Sequence, residues 1–138
     1  MNCLKLSNRP IISKVKNLPI IHRPKIKHCT VQDLISSVIY KTRNENLLEL
    51  VLRNNHIMSE SLPIFDDFKS LVKLDLSNNH LSHVSKAYFG KMKKLKVLRL
   101  NNNKITYITS LAFHNLVEIE QIDLSVNWLT YINTPVFT

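Results

Sequence analysis

The sequence predicts an α/β repeat: a solenoid with a concave parallel sheet and a convex side of short helices and turns. Three observations lead there. First, one pattern is written four times between Leu47 and Phe137 with a period of 24 residues. Each copy opens on Leu47, Leu71, Leu95 or Ile119, and the next apolar positions follow at +3, +5 and +10: Leu50, Leu52, Ile57; Leu74, Leu76, Leu81; Leu98, Leu100, Ile105; Ile122, Leu124, Leu129. An asparagine stands at +8 (Asn55, Asn79, Asn103, Asn127) and a phenylalanine at +18 (Phe65, Phe89, Phe113, Phe137). A fixed period of this length signals stacked structural repeats. Second, the alternation of leucine with other residues in each copy is a strand pattern with one apolar face. Third, about 19 residues separate consecutive strands, far more than a hairpin needs, so the strands lie parallel.

In chain order, residues 1–46 precede the regular units and read as degenerate N-terminal repeats or an irregular basic capping segment. With Cys29 in the asparagine column, Ile21, Ile26, Val31 and Leu34 fall at repeat offsets, Ile39 takes the phenylalanine place, and Pro24 stands where a strand leucine belongs. A weaker copy starts at Met1, with Leu4, Leu6 and Ile11 in place and Arg9 in the asparagine column. The four regular units are 47–70, 71–94, 95–118 and an incomplete 119–138. After the strands, Ser85–Met92 and Thr109–Leu116 place Ser or Thr before a mixed apolar run, which suits a helical turn or two on the outer face. The corresponding stretch of the first unit contains Pro63 and has Glu60 where the other units have Val84, Ile108 and Ile132. There Leu62 is expected to fill the pocket.

The pattern L-x-x-L-x-L-x-x-N-x-L resembles the leucine-rich repeat. The 24-residue unit with its closing phenylalanine is similar to the subtype common in animal extracellular proteins and receptors, Toll-like receptors among them. The resemblance covers about two thirds of the chain. It implies a non-enzymatic protein-binding module from a receptor or adhesion ectodomain.

Composition narrows the function classes. One glycine, Gly90, in 138 residues rules out phosphate-cradling glycine-rich loops. The net charge of +9 is uneven: residues 1–46 hold nine Lys/Arg against two acids, whereas residues 47–138 hold ten against eight. The repeats are thus close to neutral. Two cysteines, Cys3 and Cys29, are too few for a disulfide framework and lack zinc-site spacing. Lys5, Arg9, Lys14 and Lys16 break up any signal-peptide core, and no run approaches the ~20 apolar residues of a membrane span. None of the fifteen asparagines lies in a glycosylation sequon. Cysteine-rich caps are also lacking, which conflicts with the ectodomain resemblance. The expectation is therefore a piece, or an incomplete copy, of a longer protein, extracellular or cell-surface, with a cytoplasmic adaptor as the alternative.

The asparagine and phenylalanine columns read as structural. An amide inside the turn after each strand can satisfy backbone groups of its own and the neighbouring unit, each of which costs about 1–3 kcal/mol if buried unmatched. The phenylalanines are expected to stack as a spine. Function is sought instead at the strand positions whose side chains leave the core: Glu49, Lys73, Val97 and Gln121 at +2; Val51, Asp75, Arg99 and Asp123 at +4; Arg53, Ser77, Asn101 and Ser125 at +6. These columns vary while the frame repeats, as a ligand face requires. A protein ligand or co-receptor is the expected partner.

A second candidate is the basic run Lys86, Lys91, Lys93, Lys94 and Lys96, which could take an acidic glycan; nucleic acid is disfavoured. His56 and His80 occupy equivalent places in neighbouring units with His83 three residues on, but Lys104 and Trp128 follow in that column and no acid or cysteine completes a ligand set. They read as solvated turn residues. No nucleophile motif is present, so neither enzyme, metal nor cofactor is expected. The apolar edge of the last unit, left without a cap, is a candidate for self-association.

Overall fold

Each repeat contributes one short strand to a common sheet. A computed structural model describes residues 47–59, 68–132 and 134–137. Within them β1 (Glu49–Val51), β2 (Lys73–Asp75), β4 (Val97–Arg99) and β6 (Gln121–Asp123) pair in parallel in the order β1-β2-β4-β6. The register is the repeat register: Leu50 faces Leu74, Leu74 faces Leu98, and Leu98 faces Ile122. Beyond the strands the ladder continues into the turn, where Leu52, Leu76 and Leu100 donate their N–H to Asp75, Arg99 and Asp123 carbonyls at 2.8, 2.9 and 2.8 Å. Residues 1–46, the stretch around Pro63 where a distortion was expected, and Phe65 of the expected spine lie outside the described residues.

The helical convex side does not form. Among the described residues there is no α-helix, and the architecture is a repetitive parallel β-solenoid. A second parallel sheet, not expected from the sequence, stands just before the segments expected to be helical, built from β3 (His83–Val84), β5 (Tyr107–Ile108) and β7 (Tyr131–Ile132) in that order. The rest of the outer side is a chain of tight turns. Tyr88, Met92 and Leu95 donate to the carbonyls of Ser85, Phe89 and Met92, three residues back each time, the span of a tight turn.

The physical reason lies in where the backbone donors go. In Thr109–Leu116, Leu111 adopts φ 59°, which breaks any right-handed helix, and the N–H groups of Leu111 and Phe113 donate to Pro135 and Val136 of the next unit. Likewise Thr106 and Thr109 donate to Ser82 and Val84 one unit earlier. Hydrogen bonds between rungs thus replace those within a helix, and a segment this short cannot offset helix nucleation alone.

The core is a single apolar cluster between the two sheets and the turns. Leu71, Leu74, Leu76, Leu81, Leu95, Leu98, Leu100 and Ile105 are completely buried. Phe68, Met92 and Leu116 form a further buried column at +21, next to the turn that leads into each following strand. Phe89 and Phe113 lie with ring centres 6.3 Å apart and nearly parallel, and Phe113 and Phe137 at 5.6 Å. Burial falls off in the last unit: Ile122, Leu124 and Leu129 are only partly covered, and Phe137 is half exposed.

Candidate ligand face

The turn after each strand is rigid because one amide serves two rungs. Asn79 Nδ2 donates to the carbonyls of Leu76 (2.9 Å) and Ser77 (3.1 Å) in its own unit and Leu52 (3.0 Å) in the preceding one, while its Oδ1 accepts from the Ile57 N–H at 3.1 Å. Asn103 repeats this with Leu100, Asn101, Leu76 and the Leu81 N–H, and Asn127 with Leu124, Ser125, Leu100 and the Ile105 N–H. Asn55 donates to Leu52 and Arg53 of its own unit. Backbone groups that would otherwise be buried without partners are thereby satisfied, so the strand side chains project from a fixed frame.

A second asparagine column went unread in the sequence. At +7, Asn54, Asn78 and Asn102 have φ of 59°, 54° and 54°, in the left-handed region that asparagine tolerates better than most residues. Asn78 Nδ2 also donates to Asn54 Oδ1 at 2.9 Å. The Asn-Asn doublet was the available signal. Its fourth member is Val126, at φ 53°.

The strand positions divide by exposure. Val51, Asp75 and Ser77 are buried. Glu49, Lys73, Val97, Arg99, Asn101 and Asp123 are half-buried, and Arg53, Gln121 and Ser125 are exposed. Lys73 Nζ lies 2.8 Å from Glu49 in the +2 column. In the +4 column, register places Arg99 between Asp75 and Asp123. Its guanidinium is 3.8 Å from the Asp75 carboxylate, a loose contact. Both aspartates are bound more tightly from within their own rungs, Asp75 Oδ1 accepting from Ser77 N–H and Oγ at 3.0 and 2.6 Å, Asp123 Oδ1 from Ser125 at 3.0 and 2.7 Å. The Ser125 hydroxyl, then its backbone N–H, hold the Asp123 carboxyl below its usual value, with Arg99 adding to the effect.

The two rims of the sheet differ. On one, Lys96 Nζ pairs with Glu120 at 2.7 Å, and that hydrogen bond raises the lysine above its usual range. Lys86, Lys91, Lys93 and Lys94 are exposed on the outer turns, whereas Lys96 is half-buried. On the other rim the His56 and His80 rings are 5.0 Å apart and tilted by 60°. Loss of some hydration, then Lys104, then His56 push the exposed His80 imidazole below its ordinary value. His83 belongs elsewhere: it lies in β3, stacks on Tyr107 at 5.1 Å and hydrogen-bonds Ser82 and Tyr88. Among the described residues no three His, Cys, Asp or Glu side chains gather as a metal site.

A family model described as Leucine rich repeat matches residues 69–129. With the parallel rungs and the asparagine-locked turns, this makes the described part a leucine-rich-repeat-like solenoid, a non-enzymatic repeat domain of the kind that serves as an interaction scaffold. No curated protein matches the chain. No helix among the described residues is long and apolar enough to cross a membrane.

Proposed function

We propose that the concave sheet binds a protein ligand or co-receptor, and that the chain is part of a receptor or adhesion ectodomain. The observation that carries the first half is the rung around Arg99. Leu98 and Leu100 on either side are completely buried, yet Arg99 stands half-exposed between them, with Val97 and Asn101 beside it. Because Asp75 and Asp123 are each held by their own serine, the guanidinium keeps donors for an incoming carboxylate and loses little on meeting one. An acidic side chain of the partner, flanked by apolar contact on Val97, fits this arrangement. The ectodomain half is supported by the 24-residue unit with its closing phenylalanine, which resembles the extracellular subtype.

The test is a selection of protein binders from a display library on the whole chain. Binders are expected to lose the Arg99→Glu variant and retain one with Lys91, Lys93 and Lys94 changed to Gln, while the unfolding free energy of Arg99→Glu stays within about 1 kcal/mol of the parent, the usual worth of an exposed ion pair. The competing site is the exposed group Lys86, Lys91, Lys93 and Lys94, which suits an acidic glycan. Binding that ignores Arg99, needs those lysines and collapses with added salt would overturn the concave-face proposal.

A further inference from the structure

We infer that His56 and His80, on the rim of the concave sheet, form a two-histidine chelate for a divalent transition-metal ion of the zinc or nickel class. The argument begins with ring geometry. The rings come from the same column of adjacent rungs, their centres are 5.0 Å apart, and the 60° tilt excludes face-to-face stacking. Two imidazoles sharing one zinc ion at about 2.0–2.1 Å from each nitrogen, with a near-tetrahedral angle, hold their ring centres about 5 Å apart. The observed separation matches that of a ligand pair, and is also that of an ordinary contact between two rings.

The backbone beneath the pair is fixed by buried groups. Asn79, next to His80, accepts the Ile57 N–H at 3.1 Å and donates to Leu52, and the His80 N–H donates to the Ile57 carbonyl at 2.9 Å. Ile57 in turn follows His56, so both histidines rise from one locked pair of turns. The backbone under both rings is already ordered when an ion arrives, which lowers part of the cost of forming a chelate. Both side chains are exposed, so an ion can reach them from solvent and retain water in its remaining positions. A donor set of two imidazoles selects borderline ions such as zinc, nickel or copper over calcium and magnesium, which take oxygen ligands. Among the described residues no third His, Cys, Asp or Glu joins them, so the site is open and weaker than a closed structural zinc site. Lys104, the next residue in the column, opposes the incoming charge. This site is independent of the concave-face proposal, because neither histidine belongs to the columns around Arg99.

Calorimetric titration of the whole chain with zinc chloride, and separately nickel chloride, tests it alongside thermal melts with metal and with metal plus EDTA. A single ion per chain is expected, with a rise in melting temperature that EDTA reverses. His56→Gln and His80→Gln are each expected to lose both effects while melting like the parent without metal. Lys104→Glu, which replaces the opposing cation by a carboxylate in the next rung, is expected to bind more tightly. No heat of binding in the parent, or binding that survives both histidine variants and is indifferent to Lys104→Glu, would overturn the assignment and leave any bound metal to other histidines.

Discussion

Val126 fits its backbone poorly, at φ 53°. Its equivalents Asn54, Asn78 and Asn102 share the left-handed conformation, but a β-branched side chain there is an outlier that costs on the order of 1–3 kcal/mol. Val126 is 70% exposed, so it gains little packing in return. Val126→Asn is expected to stabilise the chain by about 1 kcal/mol, read as a higher denaturant midpoint with an unchanged slope. A lower midpoint would mean that the valine makes contacts worth more than the strain. Asp123 gives a second residue-scale test. Its carboxyl is held low by Ser125, so its small contribution to stability is complete above the unfolded carboxylate value and lost as pH falls through the lower folded one. Ser125→Ala should move the Asp123 titration, followed by NMR, up toward the ordinary carboxylate range. An unmoved curve would exclude the hydroxyl as the cause.

At the scale of elements, what could be read from the sequence followed from periodicity. The three-residue strands were legible because Leu50 and Leu52, or Leu98 and Leu100, alternate with side chains of another kind, and a period of two has one structural meaning. The turn amide at Asn79 was legible because a polar residue in a fixed apolar frame must satisfy something buried. The second sheet was not. Val84, Ile108 and Ile132 showed only as an apolar column, and two-residue strands carry no alternation; what makes them strands is pairing with residues 24 positions away. The same non-local bonding removed the expected helices at Thr109–Leu116. The +4 column shows the converse limit: alternation put Asp75 off the core, yet it is only 4% exposed, with Ser77 of its own rung and Arg99 of the next both against its carboxylate.

Ser59 ties the first unit to this second sheet. Completely buried, its hydroxyl donates to the His83 carbonyl at 2.8 Å and accepts from the N–H groups of Ser82 and His83 at 3.0 Å each. Ser59→Ala leaves those groups at the start of β3 and just before it without that partner, at a cost of about 1–3 kcal/mol. The expected outcome is faster amide exchange at Ser82 and His83 with β2 and β4 little changed. Unaltered exchange at both amides would show that the hydroxyl does not secure β3.

For the whole molecule, stability is close to a sum of rung terms and contacts between neighbours, so a rung with a neighbour on one side only is weaker than one flanked on both. The residue pattern follows this rule. Leu74, Leu76, Leu98 and Leu100 are completely buried in the middle rungs, whereas Ile122 and Leu124 in the same columns are partly covered, and Trp128, Tyr131 and Phe137 are 62%, 56% and 50% exposed. Both sheets also present an outer edge here, β6 and β7, whose backbone groups can pair with another strand. In this chain, amide exchange should therefore be slowest at Leu76, whose N–H bonds to the Arg99 carbonyl of a rung flanked on both sides, and fastest along Gln121–Asp123 and Tyr131–Ile132. The same edge should draw copies together as concentration rises. Appending one capping unit with a polar outer face should slow exchange in β6 and β7, raise the melting temperature and remove concentration-dependent sedimentation. If the chain sediments as a stable monomer at all concentrations and β6 and β7 exchange as slowly as the middle rungs, the stacking account of its stability is wrong.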